Sequence, residues 1–278
     1  MTVLVVGGSG YLGGEVCRLA VAAGSAVVAT YQRAPGDVPG VRWQRVDVRD
    51  RAAVDRLVDA VRPRVVVNTV GVYADWAVTA TGAGHVAASA ARIGARLVHV
   101  SSDAVHGGRP EPYREEDDPT PVYAYGASKA AAEVAVRVVA PAAALVRCSV
   151  IIGPDARSRQ VAFCLDALEP GSELRLFSDE LRTPVGAGDL AAAVLELAAG
   201  DYAGVLNVSG PEPMSRLELG RLVARAHGRD PAALRGATLT EMRLHRPATV
   251  VLDTTRARDV LKTRLRPPSE ILTGGTPS

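Results

Sequence analysis

The sequence predicts an α/β fold, a doubly wound parallel sheet with a smaller C-terminal lobe. Three observations carry this. Short runs of mostly β-branched residues recur along the first half: "VLVV" at 3–6, "AVVAT" at 26–30, "VVVN" at 65–68, "LVHVS" at 97–101 and "ALVR" at 144–147. Alanine-rich segments such as "RAAVDRLVDAV" and "AASAARIGA" lie between them. A glycine-rich turn, "GGSGYLGG", follows the first run directly. Strands this short and apolar, alternating with helices, build βαβ units whose strands run parallel and are buried on both faces.

Taken in order, the strands at 3–6, 26–30, 65–68, 97–101 and 144–147 form the sheet, and "VRWQRVDV" at 41–48 is a weaker strand nearer an edge. After residue 150 the rhythm breaks into loops and one helix. "GDLAAAVLELAAG" at 188–200 is a helix ended by glycine, and "GVLNVSG" a late strand. Ser215 and Glu218 stand at capping-box spacing and open another helix. The expected organisation is a dinucleotide-binding domain over 1–150, to which 185–210 returns, and a smaller substrate lobe from 151–184 and 211–278.

Composition narrows the function classes. With 278 residues, 47% of them hydrophobic, the chain can bury a sizeable core. A formal charge of only +2 and 4% aromatics supply neither a basic face nor a stacking platform for nucleic acid. Cys17, Cys148 and Cys164 are odd in number and far apart, so they form no metal motif and read as small buried hydrophobes in a reducing compartment. The N-terminus lacks a basic n-region, and no apolar run reaches the roughly 18 residues that span a bilayer. A soluble cytoplasmic protein is expected, without membrane or nucleic-acid partners.

The glycine turn is the first candidate site. Gly7, Gly10 and Gly13 are spaced G-x-x-G-x-x-G between a strand and a helix. Missing side chains let the turn close and let a pyrophosphate approach the backbone, while the helix N-terminus presents free N–H groups and its positive dipole end. This is a Rossmann-like nucleotide-binding turn, with Tyr11 and Leu12 between the last two glycines as further cofactor contacts. The end of the second strand selects the cofactor. It reads "VVATYQRAP", with no carboxylate to hold a ribose diol and with Arg33 placed for a 2′-phosphate. NADP(H) is therefore favoured over NAD(H), which is still allowed. Asp47 and Val48, after the third strand, are placed to flank an adenine.

The second candidate site is "YAYGASK" at 123–129. Lys129 lies four residues after Tyr125 and six after Tyr123. On a helix, a spacing of four shares a face and a spacing of six does not, so Tyr125 is the partner and Tyr123 is packing. A free phenol, with a pKa of about 10, is a poor acid at neutral pH, and a neighbouring ammonium favours its ionised form. Upstream, "VHVSSDAVHGG" runs from a strand into a polar loop. The carboxyl ends of parallel strands face the ligand crevice, which puts the Ser102 hydroxyl within reach of a carbonyl oxygen.

Glycine turn, serine after a later strand and Tyr-x-x-x-Lys occur here in the order in which they occur in the extended short-chain dehydrogenase/reductase family, which the chain resembles. Within that family it is most similar to the dTDP-4-dehydrorhamnose reductase type. The matching stretches are "GGSGYLG", "VSSD", "PVYAYGASKAAAE", "LRTPV", "NVSG", "SRLELGRLVA" and "RPATVVLD", spread over about residues 1 to 260. The resemblance implies NAD(P)H-dependent reduction of a keto group on a nucleotide-activated deoxysugar. In that reaction Tyr125 protonates the carbonyl oxygen, Lys129 lowers the phenol pKa and binds the nicotinamide ribose, and Ser102 steadies the carbonyl. It also places Asp103 and Arg182 at the substrate and allows a homodimer.

Some positions depart from the family pattern. Ala104, Val105 and His106 replace its usual Tyr-Val-Phe, Thr79 stands where asparagine is common, and "NTVGVYADW" at 68–76 differs from the usual loop. Glu15 falls where some members hold magnesium, but an exposed glutamate early in a helix explains it equally, and no metal is assigned. Two rival readings accompany the reductase. A sugar-nucleotide epimerase needs only the serine, tyrosine and lysine, and "SSDAVHG" resembles the epimerases' version of this stretch. A non-catalytic nucleotide-binding regulatory subunit, like that of methionine adenosyltransferase, is the other, although this chain keeps both tyrosine and lysine. Dehydratases carry an acidic pair after the serine or threonine, and Ala104 breaks that pair.

Overall fold

Valine and alanine dominate the inner strands because both faces of these are covered. In the computed structural model, which describes residues 1–73 and 75–274, the main sheet contains β1 (Thr2–Val6), β2 (Ala26–Tyr31), β3 (Val41–Arg45), β4 (Val65–Asn68), β5 (Arg96–Ser102), β6 (Ala144–Cys148) and the late strand Gly204–Asn207. Their order across the sheet is Gly204–Asn207, β6, β5, β4, β1, β2, β3. Every pairing is parallel, with Val3 opposite Val27 on one side and Val65 on the other. The weak third strand stops at Arg45, short of the predicted residue 48, and lies at the edge as expected.

Helices cover both faces. Helix α1 (Tyr11–Ala22) packs on one; α2 (Arg51–Val61), α3 (Gly82–Arg92) and α4 (Ala124–Val139) lie on the other. After α5 (Arg159–Asp166), helix α6 (Ala187–Ala199) returns to the α1 face with Leu190 and Val194, and Gly200 ends it. A separate apolar cluster draws on Ile152, Val161, Cys164, Leu176, Leu217 and Ile271. It includes α7 (Arg216–Ala226), which opens with the predicted capping box between Ser215 and Glu218. The three cysteines are buried and unpaired, as read from the sequence. Among the described residues no helix is long and apolar enough to cross a membrane.

Within the expected C-terminal lobe, helix α8 (Thr255–Val260) packs on the main sheet, where Ala257 and Leu261 join its core. The two residues, four apart, give one short apolar stripe that rests beside the Gly204–Asn207 strand. Helix α9 (Pro268–Leu272) then goes back to the small cluster. Residues 275–278 of the predicted lobe lie outside the described residues.

Candidate active site

The glycine turn is built as its composition requires. Gly7 has φ +85°, a conformation that side chains disfavour. A Cβ on Gly13 would lie 2.2 Å from the Gly7 carbonyl oxygen, so only glycine lets α1 close on the end of β1. Gly10 is the N-cap of α1, with no side-chain cap and no acid in the first turn. The helix therefore offers its N-terminal N–H groups and dipole to an anion.

This turn opens onto two joined cavities. The smaller, of about 190 Å³, is lined by Gly7, Thr30, Tyr31, Gln32, Asp47 and Val48 among others. Asp47 is the one acid lining it, and Arg49 already holds that carboxylate at 2.6 Å, keeping its pKa below the usual range. Arg33 is not brought in: it is exposed, in the bend that follows Tyr31, and does not line the cavity. The larger cavity, of about 450 Å³, shares Gly10, Thr69 and Gly71 with the first. Tyr11, Leu12, Gly13, Ser102, Asp103, Tyr125, Lys129 and Arg182 all line it, so sequence-distant candidates meet in one cleft.

Helix α4 carries Tyr125 and Lys129 on one face. Lys129 is 3% exposed, and its ammonium donates to the carbonyl oxygens of Val100 at 3.0 Å and Val70 at 3.3 Å. Burial pushes its pKa down from 10.5 to about 8, against the opposing pull of Cys148 and Glu133. Burial raises the Tyr125 phenol well above its ordinary value, and Cys148 and Asp103 add to this. The expected lowering of the phenol pKa by Lys129 is thus overridden in the free protein, which holds Tyr125 as a protonated donor. Gly71 brings backbone against both groups: a Cβ there would lie 2.9 Å from Lys129 Nζ and 3.5 Å from Tyr125 Oη.

Tyr123 is not mere packing. It is the N-cap residue of α4, lines the same cavity, and has its phenol pushed up to about 12, chiefly by burial. Ser102 caps the short 3-10 turn 103–105 through the Ala104 N–H, donates to Asp103 Oδ1 at 3.1 Å, and still lines the cavity. Asp103 accepts from Ser149 at 2.6 Å and lies 3.7 Å from Arg182. Arg182 is buried and spends donors on the carbonyls of Leu181, Pro247 and Ala248. Its neighbour Glu180 holds both Arg182 at 3.3 Å and Arg216 at 3.5 Å.

The sequence reading missed Gly71, Tyr73, Gln160, Arg216 and Arg246, which also line the larger cavity. The glycine and tyrosine of the unusual "NTVGVYADW" loop were the available signal. His106 lies away from the cavity, buried and stacked on Tyr113 with centroids 3.9 Å apart, and burial pushes its pKa down to about 3. Glu15 pairs with Arg18 at 2.7 Å. No group of three or more metal-ligating side chains occurs among the described residues.

The model of the RmlD substrate binding domain family matches residues 1–273. The chain belongs to the RmlD family. It is 32% identical over 229 residues to dTDP-4-dehydrorhamnose reductase of Mycobacterium tuberculosis, covering 76% of this chain and 74% of that one. It is 29% identical over 266 residues to the probable low-salt glycan biosynthesis reductase Agl14 of Haloferax volcanii, covering 89% and 87%. Its fold is shared with a dTDP-4-dehydrorhamnose reductase of Bacillus anthracis solved in complex with NADP, at TM-score 0.80, 21% identity and coverage of 98% and 97%. The RmlD membership makes this chain an NAD(P)-dependent short-chain dehydrogenase/reductase. The uncapped helix N-terminus and the glycine cradle fit that cofactor.

Proposed function

We propose that this RmlD-family enzyme reduces the keto group of a nucleotide-activated 4-keto-6-deoxy sugar. One observation carries the reading: Tyr125 and Lys129, on one face of α4, line the same cleft as Ser102 and the glycine turn. Gly7, Gly10, Tyr11, Leu12, Gly13, Asp47 and Val48 would hold NAD(P)H, which supplies the hydride when bound. On substrate binding the Ser102 hydroxyl turns from Asp103 Oδ1 to donate to the keto oxygen and orient it. The Tyr125 phenol then gives its proton to that oxygen. The Lys129 ammonium stabilises the phenolate left behind and hydrogen-bonds the nicotinamide ribose. Asp103 and Arg182 shape the sugar end of the pocket, and the cluster around Leu176 and Leu217 forms the core of the substrate lobe.

The proposal places the enzyme in the cytoplasm, consistent with three unpaired cysteines. It also allows a homodimer through the outer face of α4, where Val134 and Val138 are exposed four residues apart. The deciding experiment incubates the protein with a 4-keto-6-deoxy nucleotide sugar and NADPH, and follows both. Loss of NADPH in proportion to reduced sugar supports the reading. Isomerised sugar with no net loss of NADPH makes the protein an epimerase. Bound cofactor with no turnover of any keto-sugar makes it a binding subunit.

A further inference from the structure

Tyr73 is a large aromatic left 56% exposed at the mouth of the larger cavity. Core packing does not account for it, yet its position is determined. The preceding residue, Val72, is held by buried Thr79: the Thr79 hydroxyl donates to the Val72 carbonyl and accepts from the Val72 N–H, both at 3.0 Å. The Asp75 N–H adds a bond to the same carbonyl at 3.2 Å. So the threonine that departs from the family pattern anchors the loop that also departs from it.

From that anchor the Tyr73 ring stacks on Tyr125, with centroids 5.2 Å apart and planes at 22°, and more loosely on Tyr123 at 6.4 Å and 30°. Arg246, also lining the cavity, donates from Nη2 to Tyr73 Oη at 3.3 Å. Arg246 follows Tyr73 by 173 residues in the chain, so this contact joins two remote segments across the pocket mouth.

We infer that Tyr73 is a positioning residue for the Tyr125 phenol and a specificity determinant, with Arg246 steadying it. Offset stacking fixes the plane of the Tyr125 ring and keeps water from one of its faces. A keto substrate then reaches Tyr125 Oη past the edge of Tyr73, which selects carbonyls with room on that side. The inference rests on Tyr125 being the proton donor in the reaction proposed above.

The test compares Tyr73→Phe, Tyr73→Ala and Arg246→Met with the wild type, using NADPH binding as the control for folding. Tyr73→Phe keeps the stack, so kcat stays within about twofold, while KM rises about threefold, as in Arg246→Met, because both remove one exposed hydrogen bond. Combining the two should add nothing further. Tyr73→Ala loses the stack, so kcat falls about tenfold while NADPH binding is kept, and only Tyr73→Phe, which restores the ring, recovers kcat. Equal losses in Tyr73→Phe and Tyr73→Ala, or an unchanged kcat in Tyr73→Ala, overturn the inference. If the wild type turns over no keto-sugar, the reaction assigned above has failed, and a second measurement decides this inference. Tyrosinate absorbance titrations of wild type, Tyr125→Phe, Tyr73→Ala and the Tyr73→Ala/Tyr125→Phe double variant isolate the Tyr125 phenol with and without its neighbour. It should titrate lower once Tyr73 is gone; titration at the same pH refutes the positioning role.

Discussion

Replacing Lys129 with methionine removes a charge from a place where the fold resists it. Burial moves the lysine pKa from 10.5 to about 8, so holding its proton at neutral pH costs the folded state about 3 kcal/mol. Methionine escapes that penalty but cannot make the two bonds to the Val70 and Val100 carbonyls, worth about 1 kcal/mol each. The penalty is the larger, so Lys129→Met in the free protein should be about 1 kcal/mol more stable than wild type near neutral pH. The sign then reverses with pH. Between about 8 and 10.5 the unfolded chain keeps a proton at this lysine that the folded chain has lost, so wild-type stability rises with pH there. The variant has no such group, and by the top of that window it should be the less stable by about 2 kcal/mol. Urea denaturation of both proteins across this range reads the difference directly, because the remaining titrations cancel. A gap that stays constant with pH, or a variant already weaker at neutral pH, refutes the reasoning. The same variant should lose turnover and cofactor affinity together, so here a functional group is retained at the expense of stability.

Tyr125→Phe should lower turnover about 100-fold or more with NADPH still bound. Tyr123→Phe should stay within a few-fold although it lines the same cavity, and steady-state kinetics showing equal losses would overturn the assignment of the donor. Arg33 is exposed and outside the nucleoside cavity, so Arg33→Ala should raise the Michaelis constant for NADPH only about fivefold, as for a surface ion pair, and leave NADH unchanged. If both cofactors weaken equally, Arg33 is structural. Glu133→Gln leaves the buried Arg147 guanidinium without its carboxylate and should destabilise the fold by about 3–5 kcal/mol in denaturant titration. A loss below 1 kcal/mol, the scale of a surface pair, would contradict the burial of this pair.

The main sheet was legible because parallel strands buried on both faces form short apolar runs, as in Val65–Val67 of β4. The glycine turn was legible for a steric reason, shown by the 2.2 Å clash that a Cβ on Gly13 would meet. Helical spacing separated Tyr125 from Tyr123 as the partner of Lys129, but it missed that the N-cap position turns Tyr123 into the cleft as well. Arg33 was read from residue type alone, and the structure puts it in the exposed bend after Tyr31, outside the cavity lining. The return of Ala257, Leu261 and Leu265 to the main core shows only as a sparse stripe of apolar residues spaced by four in an arginine-rich stretch, too thin to stand out. Tyr73 and Arg246 are far apart in the chain, and no local pattern announces a contact of that range.

One face of α4 explains how the site is held despite its unfavourable parts. Tyr125, Lys129 and Glu133 follow one another at intervals of four residues. The first two are ionisable groups that the fold desolvates. The third is a tie: the Ser101 hydroxyl donates to Glu133 Oε1 at 2.5 Å, and Arg147 Nη2 to Oε2 at 2.9 Å. Ser101 immediately precedes Ser102, and Arg147 immediately precedes Cys148 in the cavity wall. A single carboxylate therefore fixes the helix bearing the acid to the ends of both strands bearing the rest of the wall. Arg147 extends the tie through its Nη1 to the Asp117 carbonyl at 3.1 Å. A buried ion pair adds little net stability against apolar residues of the same volume, whereas breaking it is expensive. Its value here is geometric: it makes the relative position of Tyr125 and Ser102 depend on a contact that cannot be partly broken.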